Sequence, residues 1–254
     1  MHYFRIEANR WKTHLEKMKN AGLNTVSTYI PWSLHEQIEG KPDFKGKYAP
    51  NLNLVRFIEL CAEKGLCLTV KPGPYILAEL VMHGIPKWFF DKYSGAAALD
   101  PDGNPHPIQH TCLSHPDYRQ KSMQWYDAVL PLLASCQATQ GGPVSFMQVC
   151  NEVGLFQWLS GSGDYCPQSV ADYQNYLRTQ YSSIQELNSA YGSNYGTFDA
   201  VLPPAGRVQS KADHLAGKDW HSFHRHFYAE YIRWLIAEIR SRGIEIPLFH
   251  NVPG

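Results

Sequence analysis

Cysteine is scarce in this chain of 254 residues: six in all, none spaced C-x-x-C, with Cys61 and Cys67 the nearest pair. That usage supports neither a zinc framework nor a dense disulfide scaffold. Net charge is lacking too. Lys+Arg is 23 and Asp+Glu is 23, so the clustered positive excess that nucleic acid or an anionic membrane surface demands is missing. No window holds about 18 consecutive apolar residues, which argues against a helical membrane span. Neither a Walker-type phosphate loop nor G-x-G-x-x-G occurs, so nucleotide binding has no motif behind it. There is no G-x-S-x-G elbow, and Ser160-Gly161-Ser162-Gly163 follows no predicted strand. Met1 leads straight into His2-Tyr3-Phe4-Arg5-Ile6, so no secretory leader is expected in this stretch.

What is present is an ordinary apolar share, 44%, and a length that suits one α/β barrel of about 250 residues. Aromatics are the one excess: 7 Trp, 15 Tyr and 11 Phe. Such rings pack cores, and they also stack on sugar rings.

Apolar periodicity and breakers alternate in a βα rhythm. Residues 3–6 suggest a strand stub. Asn9 is a candidate cap for a helix carrying Trp11, Leu15 and Met18 that stops at Gly22. Residues 24–30 read as a strand closed by Pro31. Leu54, Phe57, Ile58 and Cys61 line a second helix, ended by Gly65. Residues 66–70 predict a strand buried on both faces, stopped by Lys71-Pro72-Gly73-Pro74. A long loop is expected over 91–116 and a helix over 117–140, with Pro131 inside it. Residues 144–149 predict a fourth strand, running into Cys150-Asn151-Glu152. The rhythm then breaks over 155–219, an expected insertion of short helices and turns. It includes a capping box at Ser183…Glu186. A long helix over 220–242 and a fifth strand over 246–249 follow. This alternation argues for a parallel sheet with right-handed crossovers.

In such folds the chemistry gathers at the carboxyl ends of strands. Three predicted strand ends are informative: Thr28 to Glu36, Gly73 to Glu79, and Asn151-Glu152. Each offers a carboxylate, and two offer nearby rings. Sugars present C–H faces to rings and hydroxyls to carboxylates and amides, so this set suits a carbohydrate. Glu152 is the sharpest candidate. An acid where a buried strand surfaces is partly desolvated, which favours its protonated form and lets it donate to a leaving oxygen. The plainer alternative is a loop acid engaged in a cap or ion pair, and the same alternative holds for Glu79. His35 and Glu36 read equally as structural partners at the rim. His221 and His224 share a helical face, but no carboxylate completes a metal set and H-E-x-x-H is absent. They are expected to be surface histidines.

The ordered motifs resemble glycoside hydrolase family 35, the β-galactosidases. They are His2-Tyr3-Phe4-Arg5-Ile6, Gly22-Leu23-Asn24-Thr25-Val26-Ser27-Thr28-Tyr29-Ile30-Pro31-Trp32, Leu34-His35-Glu36, Lys71-Pro72-Gly73-Pro74-Tyr75-Ile76, Ala78-Glu79, Gly84-Ile85-Pro86-Lys87-Trp88, Gly141-Gly142-Pro143, Gln148 and Asn151-Glu152. The stretch Leu187-Asn188…Ala190-Tyr191-Gly192…Phe198-Asp199 is similar to family 42. The resemblance implies a (β/α)8 TIM-barrel glycosidase that retains anomeric configuration and releases terminal β-D-galactose. It implies Glu152 as acid/base and Tyr29, Leu77, Ala78, Glu79 and Asn151 as the sugar pocket. A β-galactoside is the implied partner. No metal or organic cofactor is implied, nor nucleic acid or membrane. Val153, Leu80, Ser33 and Gln37 depart from the family pattern beside that pocket.

The family's nucleophile comes from the end of strand seven, and no residue here matches it. The expectation is therefore an incomplete barrel with about strands one to five, an inactive fragment over 1–254. A silent carbohydrate-binding barrel is the alternative. Compartment and oligomeric state carry no sequence signal.

Overall fold

The computed structural model describes residues 1–155, 163–205 and 211–251, apart from the side chain of Ala212. The run Ser160-Gly161-Ser162 and the terminal Val252-Pro253-Gly254 lie outside the described residues. The chain divides into two compact units. One comprises Met1–Lys92, Gln120–Val153 and the chain from Ile232 on; the other comprises Tyr93–Arg119 and Gly154–Tyr231.

The first unit holds a parallel sheet whose strands pair in chain order: β1 (Thr25–Tyr29), β2 (Cys67–Lys71), β3 (Val144–Gln148) and β4 (Leu248–Phe249). Register aligns Tyr29 with Lys71, Val70 with Met147, and Gln148 with Phe249. Helices α1 (Trp11–Asn20) and α3 (Leu54–Glu63) follow the predicted rhythm, while the short helices α2 (Trp32–His35) and α4 (Lys87–Lys92) are not expected from the sequence.

Three expectations are corrected. Residues 3–6 are no strand: Tyr3–Arg5 is a 3₁₀ turn. Its amides bond locally, Arg5 N–H to His2 O and Ile6 N–H to Tyr3 O. The Trp11 indole N–H caps the Tyr3 and Ile6 carbonyls at 3.1 Å. The sheet of the described residues thus has four strands. Asn9 is not the cap of α1; it belongs to a 3₁₀ turn, Ala8–Arg10, that precedes the helix. Finally, β2 is not buried on both faces. Val26, Thr28, Leu68, Val70 and Met147 are buried, whereas Thr25, Ser27 and Cys67 are exposed and Phe146 is 45% exposed. Successive side chains point to opposite faces, and four strands do not close on themselves. One face is therefore covered and the other open.

The second unit contains α6 (Pro167–Gln180) and α7 (Ile184–Tyr191), and its core is Tyr173, Leu177, Leu187, Tyr191, Val201, Trp220 and Phe223. Two long helices complete the description, α5 (Pro116–Ser135) and α8 (Lys211–Ser241). The second starts well before residue 220. The segment read as a loop over 91–116 carries isolated antiparallel bridges, Ala97 to Thr111 and Leu99 to Pro105.

Candidate active site

The open face of the sheet ends in a row of polar side chains. Tyr29, Lys71 and Gln148 are the last residues of β1, β2 and β3, and alternation puts all three on the face that carries Ser27, Thr69 and Phe146. The turn after β2 is pinned from several sides. Trp125 Nε1 donates to Pro72 O at 2.8 Å and the Tyr126 hydroxyl to Gly73 O at 2.6 Å. Gly73 has φ +80°, and a Cβ there would meet Ile76 Cγ1 and Tyr75 N at 3.2 Å; only glycine fits. Beyond it, Ile76 bridges to Asn151, and Asn151 N–H donates to Tyr75 O.

Asn151 is the hub. It is 1% exposed. Its Oδ1 accepts from Gln148 Nε2 at 2.7 Å, Asn251 Nδ2 at 3.0 Å and the Tyr29 hydroxyl at 3.2 Å. Its Nδ2 donates to Leu77 O at 2.5 Å. The loops from β1, β2, β3 and β4 are thereby tied at one amide. Glu152, half-buried, follows directly. Its carboxylate accepts a long bond from Asn251 Nδ2, 3.5 Å to Oε1, and its N–H donates to Asn251 Oδ1 at 3.4 Å.

Leu77 and Ala78 are half-buried and Glu79 is exposed. Arg5 holds this loop by donating to Ala78 O at 3.1 Å and Glu79 O at 3.5 Å. The His2 ring stacks on Tyr29 with centroids 4.9 Å apart, and Lys71 Nζ lies 4.7 Å from the Tyr29 centroid.

Charge links the same residues. Burial pushes the Tyr29 hydroxyl above its usual pKa, and the negative charges of Glu152 and Glu79 add to the rise. Burial lowers Lys71, with Glu152 opposing the shift. Burial and nearby cations bring His2 to about 4, so it is neutral at pH 7. The backbone is strained here as well. Glu79, Cys150 and Glu152 take φ values of 48°, 62° and 52° without being glycine. Each such residue costs on the order of 1–3 kcal/mol and persists where its surroundings over-determine it.

The structure therefore brings Tyr29, Leu77 and Asn151 into direct contact and makes Glu79 and Glu152 electrostatic neighbours of Tyr29. His35 and Glu36 take the structural role. His35 is fully buried, bonded to the Tyr3 hydroxyl and to Asp43 O. Glu36 accepts from Trp32 Nε1 and Gly40 N, both at 2.7 Å. Of the paired histidines, His221 is exposed but His224 is buried, its Nδ1 donating to Trp220 O at 2.8 Å; the surface reading fails for His224. Sequence reasoning missed Asn251, Lys71, Arg5 and His2. The strand-end rule could have found Asn251 and Lys71. Arg5 and His2 lie in the first of the family motifs but at no predicted strand end, and they reach the site across 73 and 27 positions.

Known proteins share this architecture. The β-galactosidase of the psychrophilic Marinomonas ef1 superposes with a TM-score of 0.75 at 17% identity, covering 99% of this chain and 36% of that one. The fold is that of the TIM-barrel glycosidases, and the four strands form a consecutive arc of it. A β-1,2-glucosyltransferase of Ignavibacterium album is 45% identical over 100% of this chain and 36% of its own length. An exo-β-D-glucosaminidase of Thermococcus kodakarensis is 32% identical over 98% of this chain and 32% of its own. The chain thus spans about a third of the relatives it matches. The model of glycosyl hydrolases family 35 matches residues 1–201, and the chain belongs to that family.

Proposed function

We propose that Glu152 is the general acid/base of a retaining enzyme acting on terminal β-linked sugars, and that Tyr29, Leu77, Ala78, Glu79 and Asn151 frame the sugar pocket. One observation carries this reading. Glu152 stands on strained backbone at the carboxyl end of the sheet, beside a second carboxylate, a tyrosine and a lysine, and among the described residues its carboxylate accepts a bond only from Asn251, at the outer limit of distance.

The chemistry follows from those groups. Glu152 gives its proton to the glycosidic oxygen as a second carboxylate attacks the anomeric carbon, so the C–O bond breaks and a glycosyl-enzyme forms. Glu152, now a carboxylate, takes a proton from the acceptor, which displaces the enzyme carboxylate. The acceptor is water in hydrolysis or a sugar hydroxyl in transfer. In retaining enzymes the two carboxyls stand about 5–5.5 Å apart. The attacking carboxylate is assigned to the part of the protein outside residues 1–254. This chain is one stretch of the catalytic barrel, interrupted over about 155–219.

For the sugar, the motif set favours β-galactose. Leu80 and Val153 replace the Trp and Tyr of those motifs beside the pocket, and two relatives matched over 100% and 98% of this chain are named for glucosyl and glucosaminyl chemistry. A gluco-configured donor is the better reading. The test is the full-length protein on aryl β-glucosides, β-galactosides and β-glucosaminides, with and without a sugar acceptor, products followed by NMR. Expected is fastest turnover of the glucoside with a β-anomeric first product. An α-anomeric first product sinks the retaining mechanism. Galactoside turnover tenfold above glucoside restores the galactose reading. No turnover of any leaves a carbohydrate-binding barrel.

A further inference from the structure

Cys112 and Cys166 lie 54 positions apart and meet inside the second unit. They are 0% and 1% exposed, and their sulfurs are 2.7 Å apart. Non-bonded heavy atoms settle at about 3.5–4.0 Å. Two thiolates on one tetrahedral zinc, each at about 2.3 Å, stand roughly 3.8 Å apart. A disulfide closes to about 2.05 Å. The observed separation is shorter than the first two by about 1 Å and nearer to the third.

The surroundings also disfavour a metal. Asp164 joins the two sulfurs in a three-ligand cluster, but its carboxylate is already occupied. Oδ1 accepts from Leu99 N at 3.0 Å and Cys166 N at 2.9 Å; Oδ2 accepts from Ser169 Oγ at 2.9 Å and Cys166 Sγ at 3.3 Å. The Cys166 sulfur also caps α6, accepting from Ser169 N, so the segment 93–119 is held against the start of that helix.

We propose that Cys112 and Cys166 are a redox pair that closes to a disulfide by exchange with a low-molecular-weight disulfide such as oxidised glutathione. One protein thiol loses its proton and attacks a sulfur of that disulfide, releasing one thiolate. The second protein thiol loses its proton, attacks the mixed disulfide and releases the other thiolate. The two protons pass to the two thiolates released. Two protein thiols are oxidised to one S–S bond, and one small disulfide is reduced to two thiols. Both sulfurs are buried, so exchange in the folded state runs through local opening.

The test removes that access barrier. The full-length protein is unfolded in urea, refolded in glutathione buffers of graded oxidation, acid-quenched, alkylated in denaturant and digested for mass spectrometry. Expected is a linked Cys112–Cys166 peptide pair, lighter by two hydrogen atoms than the separate peptides. It grows with the oxidised fraction and disappears on dithiothreitol. The linked form melts roughly 5 °C or more above the reduced form. Both thiols free at every ratio overturns the proposal. So does stoichiometric zinc released on thiol titration, or a link from either cysteine to another partner.

Discussion

The sheet unit and the helical unit bury their polar groups for different ends. In the sheet unit, Asn151, Gln148 and Asn251 gather at the strand ends with a half-buried carboxylate beside them. In the helical unit, Asp219 sits under two tyrosine hydroxyls, Tyr181 at 2.6 Å and Tyr191 at 2.7 Å, and Asp164 receives four donors. Both networks contain carboxylates. The difference is occupancy: Asp164 accepts four bonds and Asp219 two short ones, whereas among the described residues Glu152 accepts one long bond, from Asn251. A filled carboxylate supports a fold, and an underused one is available for chemistry.

The sharpest way to break this contrast is to neutralise one acid from each side. Glu152→Gln should lower turnover by the full-length protein about 10²–10⁴-fold, most on substrates with poor leaving groups. Asp219→Asn should leave turnover within about twofold and cost about 1–3 kcal/mol of stability, because a buried hydroxyl loses its charged acceptor. Steady-state kinetics and urea melts check both. The contrast fails if Asp219→Asn abolishes turnover while the fold survives.

The two units also differed in legibility. The strands of the sheet unit are short β-branched runs bounded by Gly and Pro, and β1, β2 and β3 fall within two residues of expectation. Residues 3–6 misled because β-like composition says nothing about the distant Trp11 indole that fixes them as a turn. Glu152, Glu79 and Tyr29 were legible because strand ends are legible. Arg5 and His2 were not, since contacts across tens of residues leave no local periodicity. In the helical unit, α7 and its cap could be read, but the burial of His224 could not. A histidine at a helical spacing looks alike on either face.

Core packing offers a comparison of equals. Leu68 on β2 and Leu177 on α6 are each 0% exposed. Either to Ala should cost about 2–5 kcal/mol. If Leu177→Ala costs under 1 kcal/mol while Leu68→Ala does not, the helical core repacks more easily than its burial implies.

Each unit buries a neutral histidine, so acid should weaken both. Burial brings His35 and His224 from 6.5 down to about 4. Between those values the unfolded chain binds a proton that the folded chain refuses. The stability is complete above pH 6.5 and falls as pH drops to about 4, by about 3 kcal/mol for each histidine. Glu36 has the opposite sign, since burial raises it and acid relieves the cost of its charge. Urea midpoints at pH 7.5 and 5 should separate. His35→Gln and His224→Gln should each flatten the slope, and an unchanged slope in one would assign the acid loss to the other unit.

A smaller effect is expected at Asn251. Removing its side chain with Asn251→Ala unties Glu152 from Gln148 and Asn151. We expect kcat to fall about tenfold through looser orientation of the acid, with KM little changed. A KM-only effect would make Asn251 a substrate-binding residue instead.

The smallest expected effects are at two helix caps, one in each unit. Asn53 accepts from Arg56 N at 2.9 Å to start α3, and Ser183 accepts from Glu186 N at 3.2 Å to start α7. The expected box is only half built at Ser183. The Glu186 carboxylate turns to Ser182 N at 2.8 Å rather than to the cap's own N–H, so it anchors the residue before the cap. Asn53→Ala should cost about 1 kcal/mol. Ser183→Ala removes one bond of a similar kind but leaves the Glu186 anchor, so its cost should fall at the low end, about 0.5 kcal/mol. The double variant Ser183→Ala, Glu186→Ala should then lose more than the two single costs added, because each contact holds the same first turn in place for the other. Strict additivity would mean the two contacts act separately.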